Sequence, residues 1–133
     1  MPSHMTLDQK DFISLVKASL DLNHQVRFQI TGNSMKPFLK HQKTYVTIQR
    51  KTNYVKGDII LFKYQEKYLL HRIIDVNDMI YTCQGDALMT SEVIHDKDII
   101  GYVVSLGDKK ERSVESYVYK FKVSVWLGFK NIV

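Results

Sequence analysis

Between Gln25 and Leu106, apolar and polar positions alternate in short runs punctuated by Gly, Asn and Asp. The first run, QVRFQIT, sets Val26, Phe28 and Ile30 on one side and Arg27 and Gln29 on the other. That period of two predicts a half-buried strand leading into Gly32. TYVTIQ, DIILFKY, YLLHRIIDV, MIYTCQ and DIIGYVVSL follow as further β-rich runs. Ahead of them the period changes. Phe12, Ile13, Val16 and Leu20 recur at helical spacing, Thr6-x-x-Gln9 reads as a capping box, and Asp21 to His24 ends the helix. The tail from Ser113 to Phe129 fits both periods. Tyr117, Tyr119, Phe121, Val123 and Val125 alternate as in a strand, whereas Val114, Val118, Phe121 and Val125 share a helical face. No repeat, low-complexity segment or linker breaks the pattern, so the expectation is one β-rich α+β domain with an N-terminal helix.

Composition narrows this picture. A chain of 133 residues is long enough for one domain with a real core. The opening MPSH reads as an expression scar, which leaves 5–133 as the domain and Met5 as its native start. A hydrophobic fraction of 44% with 25% charged residues belongs to a folded chain. The net charge is +5, but the basic residues are scattered and no run of five Lys/Arg occurs, so nucleic acid is not an expected partner. A single cysteine, Cys83, excludes an internal disulfide and any Cys-rich metal cage, and reads as a buried or half-buried thiol. No apolar stretch approaches the roughly 20 residues that span a bilayer. No signal peptide opens the chain, so the expected location is cytoplasmic or peripheral to a membrane.

Candidate chemistry comes down to two residues. His24, His41, His71 and His95 have no metal-binding spacing and no Gly-rich phosphate loop is present, so neither metal nor cofactor is expected. Asp75 with Asp78, and Asp96 with Asp98, read as solvated charges. His71 differs, because it lies inside the apolar run YLLHRII, where burial is costly unless a partner satisfies the ring. The other residue is Ser34, in TGNSMKPFLK, between a glycine turn and a Met-x-Pro. Taken alone, Gly-Asn-Ser is ordinary turn chemistry. Paired with a histidine it gains a second reading, since a serine hydroxyl becomes a nucleophile when a neighbouring base accepts its proton. Imidazole is the natural base for that task at neutral pH.

The ordered series GNSMKP, KGDIILFKY, LLHRII and QGDA resembles the signature boxes of the type I signal peptidase superfamily, which includes the LexA-type self-cleaving repressors. The similarity covers roughly Val26 to Val104. It implies a serine protease on twisted, coiled antiparallel sheets. Ser34 matches the nucleophile, and Met35 and Pro37 match the Met-x-Pro that shapes the floor beside it. His71 stands where bacterial signal peptidases and LexA-type proteins place a lysine base. Endoplasmic-reticulum and sporulation-type enzymes carry histidine followed by arginine there, as in His71-Arg72, so the chain is similar to the Ser-His branch.

Three features depart from that pattern. No membrane anchor is seen. Gly32 replaces the first serine of the endoplasmic-reticulum-type Ser-Gly-Ser, so the oxyanion would rest on backbone N–H groups around Gly32, Asn33 and Ser34, that of Ser34 foremost. The acidic box GDALMTSE lacks the Asn after Gly-Asp and ends in Glu92 rather than aspartate. Two acids therefore compete to orient His71: Asp86, favoured as the Gly-Asp match, and Glu92, in the place of the family's later aspartate.

The resulting expectation is a serine endopeptidase acting on an extended peptide of a precursor protein, such as a leader, signal or propeptide, laid along a sheet edge. The alternatives are a catalytically degenerate peptide-binding or scaffolding module and a LexA-like self-cleaving regulator. The last is disfavoured, because no Ala-Gly or Cys-Gly bond occurs and some 25 residues before the first strand leave no room for a DNA-binding domain. In the tail, Tyr117, Tyr119, Phe121, Trp126 and Phe129 interleave with Lys120, Lys122 and Lys130. If helical, that segment could rest on an anionic membrane or a partner protein; the competing reading is a final element packed on the domain.

Overall fold

The computed structural model describes residues 9–29, 44–107 and 112–113. The first described element is helix α1, Gln9–Asp21, whose Ile13, Val16 and Leu20 are buried with Phe12 packed beside them. This is the apolar face read from the sequence. The helix stops where expected. Asn23 takes a left-handed φ of 63°, its N–H bonds Leu20 O at 2.9 Å, and the His24 N–H returns to Ser19 O at 3.0 Å. Those two bonds form a Schellman cap, with asparagine in the place glycine usually fills. Thr6, the first residue of the expected capping box, lies outside the described residues.

Among the described residues eight strands follow: β1 Val26–Gln29, β2 Tyr45–Gln49, β3 Ile59–Tyr64, β4 Lys67–Asn77, β5 Ile80–Gln84, β6 Ser91–His95, β7 Ile99–Gly107 and β8 Arg112–Ser113. All pair antiparallel in one sheet of order β1-β2-β7-β3-β4-β5-β6, with β8 also on β7. Among the described residues the architecture is thus the mainly β, antiparallel one expected, with one α-helix ahead of the strands. Six of these strands lie within the runs read from the sequence or extend one residue beyond them at an end, and β6 and the short β8 are additions. The side chains of β6 alternate exposed and buried, but the inward set is Glu92 and Ile94, and a carboxylate at an inward position disguises the apolar period. Of the tail, Ser113 alone is described, so its strand-or-helix alternatives fall outside the described residues.

The order explains why β3 reads IILF rather than alternating. Ile59 and Leu61 join the cluster under α1, with Val46, Ile48, Ile100, Val103 and Leu106. Ile60 and Phe62 join a second cluster of Tyr54, Ile73, Tyr81, Cys83 and Ile94. A strand buried on both faces is apolar throughout. The β3–β4 hairpin closes through Gln65 and Glu66, both at positive φ (48° and 66°), the twist that matches flanking strands although neither residue is glycine.

Gly101 on β7 lies under the helix. A Cβ there would stand 3.1 Å from Gln49 O and 3.3 Å from Leu20 Cδ1. Gly101→Ala is therefore expected to destabilise the domain by about 1–3 kcal/mol, the usual cost of overpacking a filled core. Urea denaturation checks this, and an unchanged midpoint would show that the helix yields freely.

Candidate active site

The site is built on β4. Its residues alternate between the two faces of the sheet, so the consecutive His71 and Arg72 project in opposite directions. His71 lies opposite Ile60 on β3 and joins the second cluster's face, its ring edge-on to Phe62 at 6.1 Å between centroids. Arg72 lies opposite Ile59 and so points to the other side. Both are almost wholly buried, at 3% and 1% exposure.

Each meets its own carboxylate. His71 Nδ1 lies 2.7 Å from Glu92 Oε1, and Glu92 is itself buried. Arg72 grips Asp86 with two parallel bonds, Nε to Oδ1 at 2.9 Å and Nη2 to Oδ2 at 2.8 Å, and its Nη1 donates to Gly57 O at 3.0 Å. The expectation that favoured Asp86 as the partner of His71 is therefore corrected. Both Asp86 oxygens are taken by a guanidinium on the opposite face, and the second candidate, Glu92, holds the imidazole. The signal that could have separated them is parity along β4: adjacent residues need partners on opposite faces, and the box supplies one acid for each.

A carboxylate only accepts, so Nδ1 carries the hydrogen of the 2.7 Å bond. In the neutral ring the lone pair then sits on Nε2, where it can take a proton from a hydroxyl. This is the orientation of a general base backed by an acid. Among the described residues, no buried side-chain nitrogen or oxygen lacks a partner. Ser34, with Gly32, Asn33, Met35 and Pro37, lies outside the described residues, as does His41.

Cys83 is fully buried beside this pair; burial, and then the charge of Glu92, push its thiol up to about 12. Iodoacetamide at pH 8 is expected to leave Cys83 unmodified in the native protein and to alkylate it after denaturation; native labelling at the rate of a free thiol contradicts this. The same shift sets a pH trend. The folded thiol keeps a proton that the unfolded chain loses above the ordinary value of 9.0, so this contribution to stability is lost as pH rises from 9.0 to about 12. Asp96, read as solvated, accepts a 3.1 Å bond from the Tyr81 hydroxyl, and Asp98 caps the His95 N–H at 3.1 Å. Asp75 and Asp78 are exposed as expected. Among the described residues, no group of three or more His, Cys, Asp or Glu is placed to hold a metal ion. None of their helices is long and apolar enough to cross a membrane.

No curated protein matches the chain. A family model does: the Peptidase S24-like model matches residues 2–104, a span that includes the GNSMKP segment, the histidine of β4 and both acids. By that match and by its antiparallel fold, the chain belongs to the Peptidase S24-like family, within the LexA and signal-peptidase type of serine peptidases.

Proposed function

We propose that the protein is a serine endopeptidase in which Ser34 is the nucleophile, His71 the general base and Glu92 the acid that orients it. At family level the chain is a serine peptidase or a LexA-like self-cleaving regulator. The observation that carries the finer reading is the buried 2.7 Å bond between His71 and Glu92. Taking a histidine and a glutamate out of water together is costly, and a stability role alone would be served as well by apolar side chains. In this mechanism Nε2 of His71 takes the Ser34 proton as Oγ attacks the carbonyl of an extended peptide. The imidazolium, steadied by Glu92, returns the proton to the leaving amine, and water then hydrolyses the acyl-enzyme. Backbone N–H groups at Gly32 to Ser34 would receive the oxyanion. The substrate is a leader, signal or propeptide segment with small residues before the cleaved bond, as the family resemblance implies.

Peptides with small residues at successive positions, incubated with wild type and with Ser34→Ala and mapped by mass spectrometry, test the reading. Wild type should cut and Ser34→Ala should not. Binding without cleavage by both proteins would favour a degenerate peptide-binding module, and a Ser34-dependent break in the chain itself would favour a self-cleaving regulator. Either result overturns the endopeptidase assignment.

A further inference from the structure

We propose that Cys83 and Gly85, small residues on and just after β5, are positioning residues that keep open the path by which Glu92 crosses to His71, and that this crossing requires glutamate rather than aspartate. The proposal rests on the reading of His71 and Glu92 as base and orienting acid.

The strand register sets the problem. Ile73 on β4, Cys83 on β5 and Glu92 on β6 form one cross-strand row. His71 shares their face but sits two residues along β4 from that row, and a whole strand separates β4 from β6. On a flat antiparallel sheet this places the two backbones about 9.5 Å apart across the strands and about 6.8 Å apart along them. Even so, Nδ1 and Oε1 stand 2.7 Å apart. The two side chains therefore meet over β5.

What lies beneath that meeting point is small. Cys83 occupies the row of Glu92 and is fully buried. Extending the pairing of Arg72 with Gln84 by one residue sets buried Gly85 opposite His71. On that face β5 presents larger side chains elsewhere, as Tyr81 does. A leucine or valine at 83 would stand where the Glu92 chain passes. The proximity is also electrostatic, since the Glu92 charge is felt at the Cys83 thiol.

The same geometry accounts for the glutamate. Removing one methylene withdraws the carboxylate by up to about 1.5 Å, one C–C bond, from a contact that is already at hydrogen-bond distance. Aspartate at 92 would leave the imidazole without its acceptor.

The test reads the imidazole directly. Long-range proton–nitrogen spectra of ¹⁵N-labelled protein at mildly alkaline pH should show His71 as the Nδ1–H tautomer with a downfield Nδ1 proton. Cys83→Ala, which keeps the path open, should retain that resonance. Cys83→Leu and Glu92→Asp should lose it, and Glu92→Asp should acylate Ser34 on the order of 100-fold more slowly, the cost of about 1 Å of misplacement. A folded Cys83→Leu or Glu92→Asp protein with the resonance intact overturns the proposal. If Cys83→Leu does not fold, Glu92→Asp decides alone. Because the tautomer is read without any cleavage, the proposal stands or falls separately from the activity of Ser34.

Discussion

Replacing Glu92 by Gln is expected to leave the fold intact and to slow acylation of Ser34 on the order of 10⁴-fold, the loss seen when an orienting carboxylate becomes an amide. The substitution keeps the shape of a buried side chain and changes what it asks of the ring. An amide can donate as well as accept, so it no longer obliges Nδ1 to carry the hydrogen, and the tautomer with Nε2 free is no longer enforced. It also withdraws the negative charge that would steady the imidazolium. Single-turnover kinetics with a serine-directed probe, alongside thermal melts, separate the two effects. Near-full reactivity in a folded Glu92→Gln protein would mean that His71 works without Glu92, as a bare dyad with Ser34.

Asp86→Asn is expected to do the reverse. It should leave the contact of His71 with Glu92 in place and cost about 3–5 kcal/mol of stability, as breaking one partner of a buried ion pair does. Arg72 is 1% exposed and uses two of its bonds on Asp86, so losing the carboxylate charge strands a guanidinium in the interior. Against a total stability of about 5–15 kcal/mol for a domain this is a large fraction. The pair also ties the segment after β5 to the turn before β3, through Gly57 O. Arg72→Met with Asp86→Leu should recover most of the loss, because apolar replacements remove both charges at once. Denaturant midpoints of the two singles and the double form the cycle. A single Asp86→Asn variant as stable as wild type would show that the pair contributes little.

These two acids also show how far the sequence could be read. The box GDALMTSE announced that an acid would serve His71, and the motif match pointed to Asp86. What selects Glu92 is a strand the pattern did not reveal. β6 has an inward carboxylate where an apolar residue would have marked it, so its period was hidden by the residue that matters most. The neighbours were easier. α1 buries its predicted face, β1 turns Val26 and Phe28 to the core and leaves Arg27 exposed, and the IILF run of β3 is apolar because both faces are covered. His71 was recognisable as a buried polar residue in need of a partner, since burial of an unsatisfied ring is costly. Which partner depended on register across three strands, and no local motif encodes that. The two-residue turn at Gln65 and Glu66 was likewise hidden, because positive φ there is imposed by strand twist rather than announced by Asn-Gly.

Whether Ser34 is a nucleophile activated by His71 is decided by the rate at which a serine-directed probe marks it. Wild type and His71→Ala are exposed to a fluorophosphonate probe at neutral pH, and the adduct is located by tandem mass spectrometry. An adduct on Ser34 is expected in wild type, formed at least about 10³-fold faster than in His71→Ala, as when the base of a working pair is removed. No adduct on Ser34, or equal rates in the two proteins, would contradict this reading of the pair.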